Sequence, residues 1–199
     1  MYDEVVKYLL TNPSKALGVT KKKVDKNVTT ALVITEWILF TIAALIVKPS
    51  ASIAAGVFIG GIVLTLFAGL LVMVIYRALG CKGDYLEGLS TIAYSLMPLS
   101  FGTLIASILF LGKAAGTVIG FAIAAVYGVM SLATLYYSGK TFFKTDMITA
   151  FVGTSILLSG AAALLSASLA SLSAYTSIHE ISAIIKGSSL APLLGLLKV

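Results

Sequence analysis

The sequence predicts an all-α, polytopic membrane helical bundle, with five transmembrane helices and a short interfacial N-terminal helix. Three observations predict it. The 199 residues are 59% hydrophobic and only 11% charged, where a soluble domain carries about 25% charged residues. Mean hydropathy is +1.05, so the chain cannot cover its own surface in water, and lipid is its solvent. The apolar residues also gather into runs long enough to cross hydrocarbon ~30 Å thick, which takes roughly 20 residues at helical rise.

The leader comes first. Tyr2, Val5, Val6, Leu9 and Leu10 recur at i, i+3, i+4, i+7 and i+8, one face of a helix. Asn12-Pro13 reads as an N-cap with proline at the first helical position, opening a second short helix through Leu17. Lys21, Lys22, Lys23 and Lys26 follow at the membrane edge. Residues 1–27 thus read as a cytoplasmic amphipathic and basic leader that meets anionic headgroups. The alternative is a frayed terminus whose lysines only set topology.

The spans follow in residues 28–175. The first runs from Val28 to Val47 and stops at Lys48-Pro49; the second runs from Ala51 to Leu79 and stops at Gly80. The third covers Leu89 to Leu111, the fourth Ala114 to Tyr137, and the fifth Met147 to Tyr175. The second and fifth exceed the hydrocarbon thickness and should tilt or protrude. The first run lies behind a polar leader and is long enough to span, so it reads as a span rather than a cleaved signal. Residues 176–199 are broken by Lys186, Gly187 and Pro192. They read as an extracytoplasmic interfacial or re-entrant tail, with a sixth span as the alternative.

Orientation follows from the basic residues. With five spans, ten of the 14 lysines and arginines fall on one side and four on the other. The lysine-rich side is cytoplasmic, which places the N-terminus inside and the C-terminus outside. The plasma membrane is the expected location.

Charge gathers at the connection between the second and third spans, 76-YRALGCKGDYLEGLSTIAYSLMP-98. Gly80 and Gly83 allow positive φ for a tight reversal. Arg77 and Lys82 mark the cytoplasmic side. Asp84 is placed to cap the third helix, with Glu87 three residues on, as in a capping box. Tyr85 suits the interfacial belt. Pro98 should break the third helix's ladder and bend it, with Ser95 or Ser100 satisfying the freed backbone groups. Lys21, Lys22, Lys23, Arg77, Asp84, Tyr85 and Glu87 are therefore the candidate contacts for a protein partner or lipid.

Glu36 is the one acid within a span, eight residues in from Val28 or ~12 Å deep. A carboxylate at that depth is costly unless it is paired, protonated or hydrated. It reads either as a proton or ion site, or as a structural group reached by the long side chain of Arg77. A third reading makes the adjacent Trp37 an interface marker and leaves Glu36 shallow.

Lipid supplies no hydrophobic drive for helix association, so small residues that let backbones approach become the packing signal. The fourth span carries Gly112, Gly116, Gly120, Ala124 and Gly128 at every fourth position. Packing within one bundle is the first reading of this ridge, and the seam of a homo-oligomer is the second.

Several classes of chemistry find no support. A single cysteine, Cys81, excludes an internal disulfide and a cysteine-based zinc site. His179 is the only histidine, and it stands beside Glu180 in the tail. No HExxH, GxSxG, paired intramembrane aspartate or phosphate-binding loop occurs. We therefore expect no enzyme, no metal and no cofactor. The net charge of +6 and pI near 9.4 point to anionic lipid, since no stretch interleaves basic and aromatic residues as a nucleic-acid surface would.

The segment 83-GDYLEGLSTIAYSLMPLS-100 carries a glycine-bearing turn, then Tyr85, Glu87, the Ala93-Tyr94 pair and Pro98, and the leader 9-LLTNPSKAL-17 carries a Leu-x-x-x-Pro pattern. These features resemble the Yip family, the Ypt/Rab-interacting membrane proteins, in its compact prokaryotic form. The resemblance implies five spans, a cytoplasmic N-terminus and a non-enzymatic role as scaffold or adaptor in membrane organisation or trafficking. The longer eukaryotic members add an acidic N-terminal region and an Asp-Leu-Tyr-Gly-Pro motif. This chain has neither, so the GTPase contact that goes with them is not implied. The alternative function is a small transporter or channel with Glu36 in its pathway, lined by Thr41, Thr65, Ser95, Ser107, Thr134, Ser155, Ser159 and Ser166.

Overall fold

The computed structural model describes residues 2–12, 15–17, 25–112, 114–163 and 166. Among the described residues the regular elements are helices: α1 (Tyr2–Thr11), α2 (Lys26–Val47), α3 (Ala51–Ala78), α4 (Tyr85–Phe110), α5 (Ala114–Phe142) and α6 (Met147–Ala163). Helices α2 to α5 are long and apolar enough to cross a membrane, and α6 is a shorter apolar helix. The protein is thus a helical membrane bundle. The chain divides into two units, Met1–Ile156 and Leu157–Val199. The packing described below lies within the first. In the second, the Ser166 hydroxyl donates to the Ala162 carbonyl at 2.8 Å.

The first unit is built around α4. This helix packs against α1, α2, α3 and α5. Half of its most apolar window is buried, against 22% for each of the other three spans, which makes α4 the hub. The remaining spans turn large apolar side chains outward: Ile59, Val63 and Phe67 on α3, and Val118, Phe121 and Val129 on α5, are all more than half exposed. An apolar surface of that extent requires hydrocarbon around it.

Backbone contact at small residues sets the crossings. A Cβ on Gly69 would lie 2.8 Å from the Cα of Leu89, and a Cβ on Gly88 would meet the Gly69 carbonyl, so α3 and α4 touch main chain to main chain. Gly61 receives the indole of Trp37, and Gly102 receives Tyr127. Part of the small-residue ridge that leads into α5 does the same. Gly112 and Gly116 face the Leu109 carbonyl, and Gly120 faces Phe110 and the Ala106 carbonyl at the end of α4. Gly128 meets nothing within 4 Å.

Helix ends differ from those that hydropathy suggests, because caps set them. Asp25 accepts from the amides of Asn27 (2.8 Å) and Val28 (3.4 Å), so α2 begins at Lys26. Asp84 caps α4, which begins at Tyr85, four residues before the apolar run. Helix α5 continues past Tyr137 to Phe142.

The leader helix is packed on protein along one face. α1 forms on the expected periodicity, Val5 and Leu9 are fully buried, and α1 packs on α4. Ala16 and Leu17 are buried as well. The Lys15 amide reaches the Asn12 Oδ1 at 3.4 Å, in keeping with the expected cap; Pro13 lies outside the described residues.

Candidate functional site

The two lysine-side connections, residues 79–84 and 143–146, are locked together around Tyr76. This side chain is fully buried at the end of α3. Its ring stacks on Phe143, with centroids 4.4 Å apart and planes 11° from parallel. Its hydroxyl donates to the Ala150 carbonyl on α6 at 3.4 Å. The ring fits only because Gly139 and Gly153 lack side chains: a Cβ at either would lie 2.8 or 2.9 Å from Tyr76 Cζ. One aromatic therefore ties α3 to α5 and α6.

The connections continue that contact. The Cys81 thiol donates to the Thr145 hydroxyl at 3.4 Å. Gly80 takes φ +83°, the reversal expected of it. Gly83 does not take positive φ; it is small to make room for the Phe143 ring. Arg77 Nε donates to the Gly83 carbonyl at 2.8 Å and closes the turn.

Asp84 and Glu87 form the capping box the sequence announces. Asp84 Oδ1 accepts from the amides of Leu86 (2.8 Å) and Glu87 (3.2 Å), and Glu87 Oε2 accepts from the Asp84 amide (2.6 Å). The hydrogen bond from the Glu87 side chain, with the Glu87 and Leu86 amides and the nearby Arg77 charge, holds the Asp84 carboxyl below the usual carboxylate range. Asp146 caps α6 in the same way, accepting from the amides of Ile148 (2.8 Å) and Thr149 (2.9 Å). The Thr149 amide, then its hydroxyl, lowers the Asp146 carboxyl too. Tyr85 donates its hydroxyl to the Leu66 carbonyl at 3.0 Å and so clamps α4 to α3.

Between these connections lies a cleft of about 570 Å³. Lys82, Glu87, Lys144 and Asp146 stand on its wall beside Phe142 and Phe143. Both acids are engaged as helix caps. The arrangement suits non-covalent recognition of charged groups. Of the sequence-predicted contacts, Arg77, Asp84, Tyr85 and Glu87 come together here, while Lys21, Lys22 and Lys23 lie outside the described residues. His179 and the C-terminal tail also lie outside them.

Glu36 is a separate feature. It is fully buried, and neither carboxyl oxygen has a hydrogen-bond partner among the described residues. The pairing with Arg77 is not what the structure holds. Arg77 is engaged with Gly83. The neighbouring Trp37 donates its Nε1 to Thr65 Oγ1 on α3 at 2.8 Å. Thr29 and Ser90 share a hydrogen bond of 2.7 Å between α2 and α4, and Glu36 lies seven residues, or about two turns, further along α2.

The hydroxyls suggested as the lining of a path mostly turn back on their own helices. Thr41 donates to Trp37 O, Ser95 to Ile92 O, Ser107 to Leu104 O and Thr134 to Met130 O, all within 2.8 Å. Helix α4 runs on through Pro98. Ser95 and Ser100 bond to Ile92 O and Met97 O, so neither takes the Tyr94 carbonyl that the proline leaves.

Sequence reasoning assigned no role to Tyr76, Phe143, Gly139 or Gly153. The available signal was aromatic residues clustered at the lysine-side ends of adjacent spans, reinforced by the edge-on contact of Tyr94 and Phe142 at 5.2 Å. Comparison with family models, with curated proteins and with solved structures returned no match.

Proposed function

We propose that this protein is a non-enzymatic membrane scaffold or adaptor of the Yip type that works through its lysine-rich face, held in the cytoplasm of a prokaryotic cell. One observation carries the reading: two connections far apart in sequence are fastened by Tyr76–Phe143 stacking and the Cys81–Thr145 bond into one surface with Lys82 and Lys144 at its cleft. A connection that served topology alone would need neither fastening. Pull-down from membranes with the wild type and with Lys82→Glu/Lys144→Glu tests it. Partner recovery should fall in the variant, and unchanged recovery counts against this face. Orientation is tested separately with Cys81, the only thiol. A membrane-impermeant maleimide should label it from the cytoplasmic side.

A second reading, a small transporter, draws on Glu36, which is buried and has no hydrogen-bond partner among the described residues. Flux across proteoliposomes that disappears in Glu36→Gln would favour it over the scaffold.

A further inference from the structure

At the opposite end of the bundle, a cleft of about 590 Å³ lies between α2, α3, α4 and α5. That volume is within the range of about 300–1,000 Å³ typical of small-ligand sites. We propose that the cleft binds one acyl chain of an anionic phospholipid, with the headgroup phosphate held by Lys48 at its mouth.

Three observations carry this. The wall is apolar in chemistry as well as composition. Trp37 Nε1 is taken by Thr65, and the hydroxyls of Thr103 and Ser107 donate to Leu99 O and Leu104 O at 2.8 Å. These groups show the cleft carbon rather than donors. Water would find few of the polar partners it needs there, and an unfilled void would forfeit dispersion contacts. A hydrocarbon chain meets both conditions.

The second observation is charge. Lys48 is the one charged side chain lining the cleft among the described residues, and it stands where α2 ends. An ammonium at the membrane edge attracts a phosphate, and a chain threaded below it would be anchored at its polar end. The third is length. Trp37 lines the cleft eleven residues before Lys48, or ~16 Å at helical rise. That is about half of the ~30 Å hydrocarbon thickness, the depth of one leaflet.

Trp37 is also the only tryptophan, so its fluorescence reports occupancy. The protein is reconstituted in phosphatidylcholine vesicles with rising fractions of phosphatidylglycerol brominated along its chains. Quenching should saturate at low fractions of the brominated lipid. Lys48→Gln, an exposed change that leaves the packing intact, should raise the half-saturating fraction roughly five-fold. It should alter quenching by brominated phosphatidylcholine less, because choline offsets the charge of that lipid's phosphate. Ala44→Phe, which fills the cleft, should remove the saturable component. Quenching that rises linearly with lipid fraction and ignores both variants would mean bulk lipid at the surface and overturn the proposal. Saturation unmoved by Lys48→Gln would overturn it too, since the anionic headgroup would then have no role.

Discussion

Replacing Tyr76 with alanine should loosen the whole lysine-side end. The side chain is fully buried and touches Phe143, Gly139, Gly153 and Ala150. Aromatic-to-alanine changes in cores cost about 3–5 kcal/mol. In lipid the transfer from water is missing and lost packing remains, so about 3 kcal/mol is expected. Tyr76→Phe keeps the ring and loses only a long 3.4 Å hydrogen bond, and it should cost less than about 1 kcal/mol. Unfolding in mixed detergent–SDS micelles measures both, and the alkylation rate of Cys81 reports local opening. A double-mutant cycle with Gly139→Ala sharpens the test. The new methyl collides with the Tyr76 ring, so it should be costly in the wild type and milder once the ring is gone. Coupling of about 0.5–3 kcal/mol is expected. If the two costs simply add, and Cys81 reacts no faster, then Tyr76 is not the wedge. If Tyr76→Phe falls as far as Tyr76→Ala, the hydroxyl rather than the stacked ring holds this end.

Three further outcomes follow from the geometry. Gly88→Leu should separate α3 from α4 at their main-chain contact and destabilise the bundle by about 1–3 kcal/mol in the same unfolding assay, whereas Gly128→Leu, in open space, should change little. Asp84 is held below its ordinary pKa, so its carboxylate stabilises the fold; that contribution is complete above the unfolded value of about 3.9 and is lost as pH falls through the lower folded value. An acid titration should therefore show a loss of stability below about pH 4 that is reduced in Asp84→Asn. Glu36→Gln, a near-isosteric neutral change at a buried site with no hydrogen-bond partner among the described residues, should leave thermal stability within about 1 kcal/mol of the wild type, while Glu36→Lys should prevent correct insertion, read by expression and by protease protection.

Hydropathy and capping were legible in the sequence alone. A span is a statement about one segment and its solvent, so α2, α3 and α5 begin or end close to where Val28, Val47, Ala51 and Ala114 place them. The capping box is local too: Asp84 and Glu87 sit three residues apart and find each other without help from the rest of the chain. The sequence could name Glu36 as an anomaly but not say what surrounds it, because that depends on how α2 is rotated. Tertiary structure decided the rest: the burial of Val5 and Leu9 on α4, the touching backbones at Gly69 and Gly88, Trp37 bonded to Thr65, and Tyr76 set between two glycines from different helices. The physical reason is that lipid wets every apolar face of these helices almost equally. Composition therefore says that a helix crosses, and only the fit of one surface against another selects which faces meet.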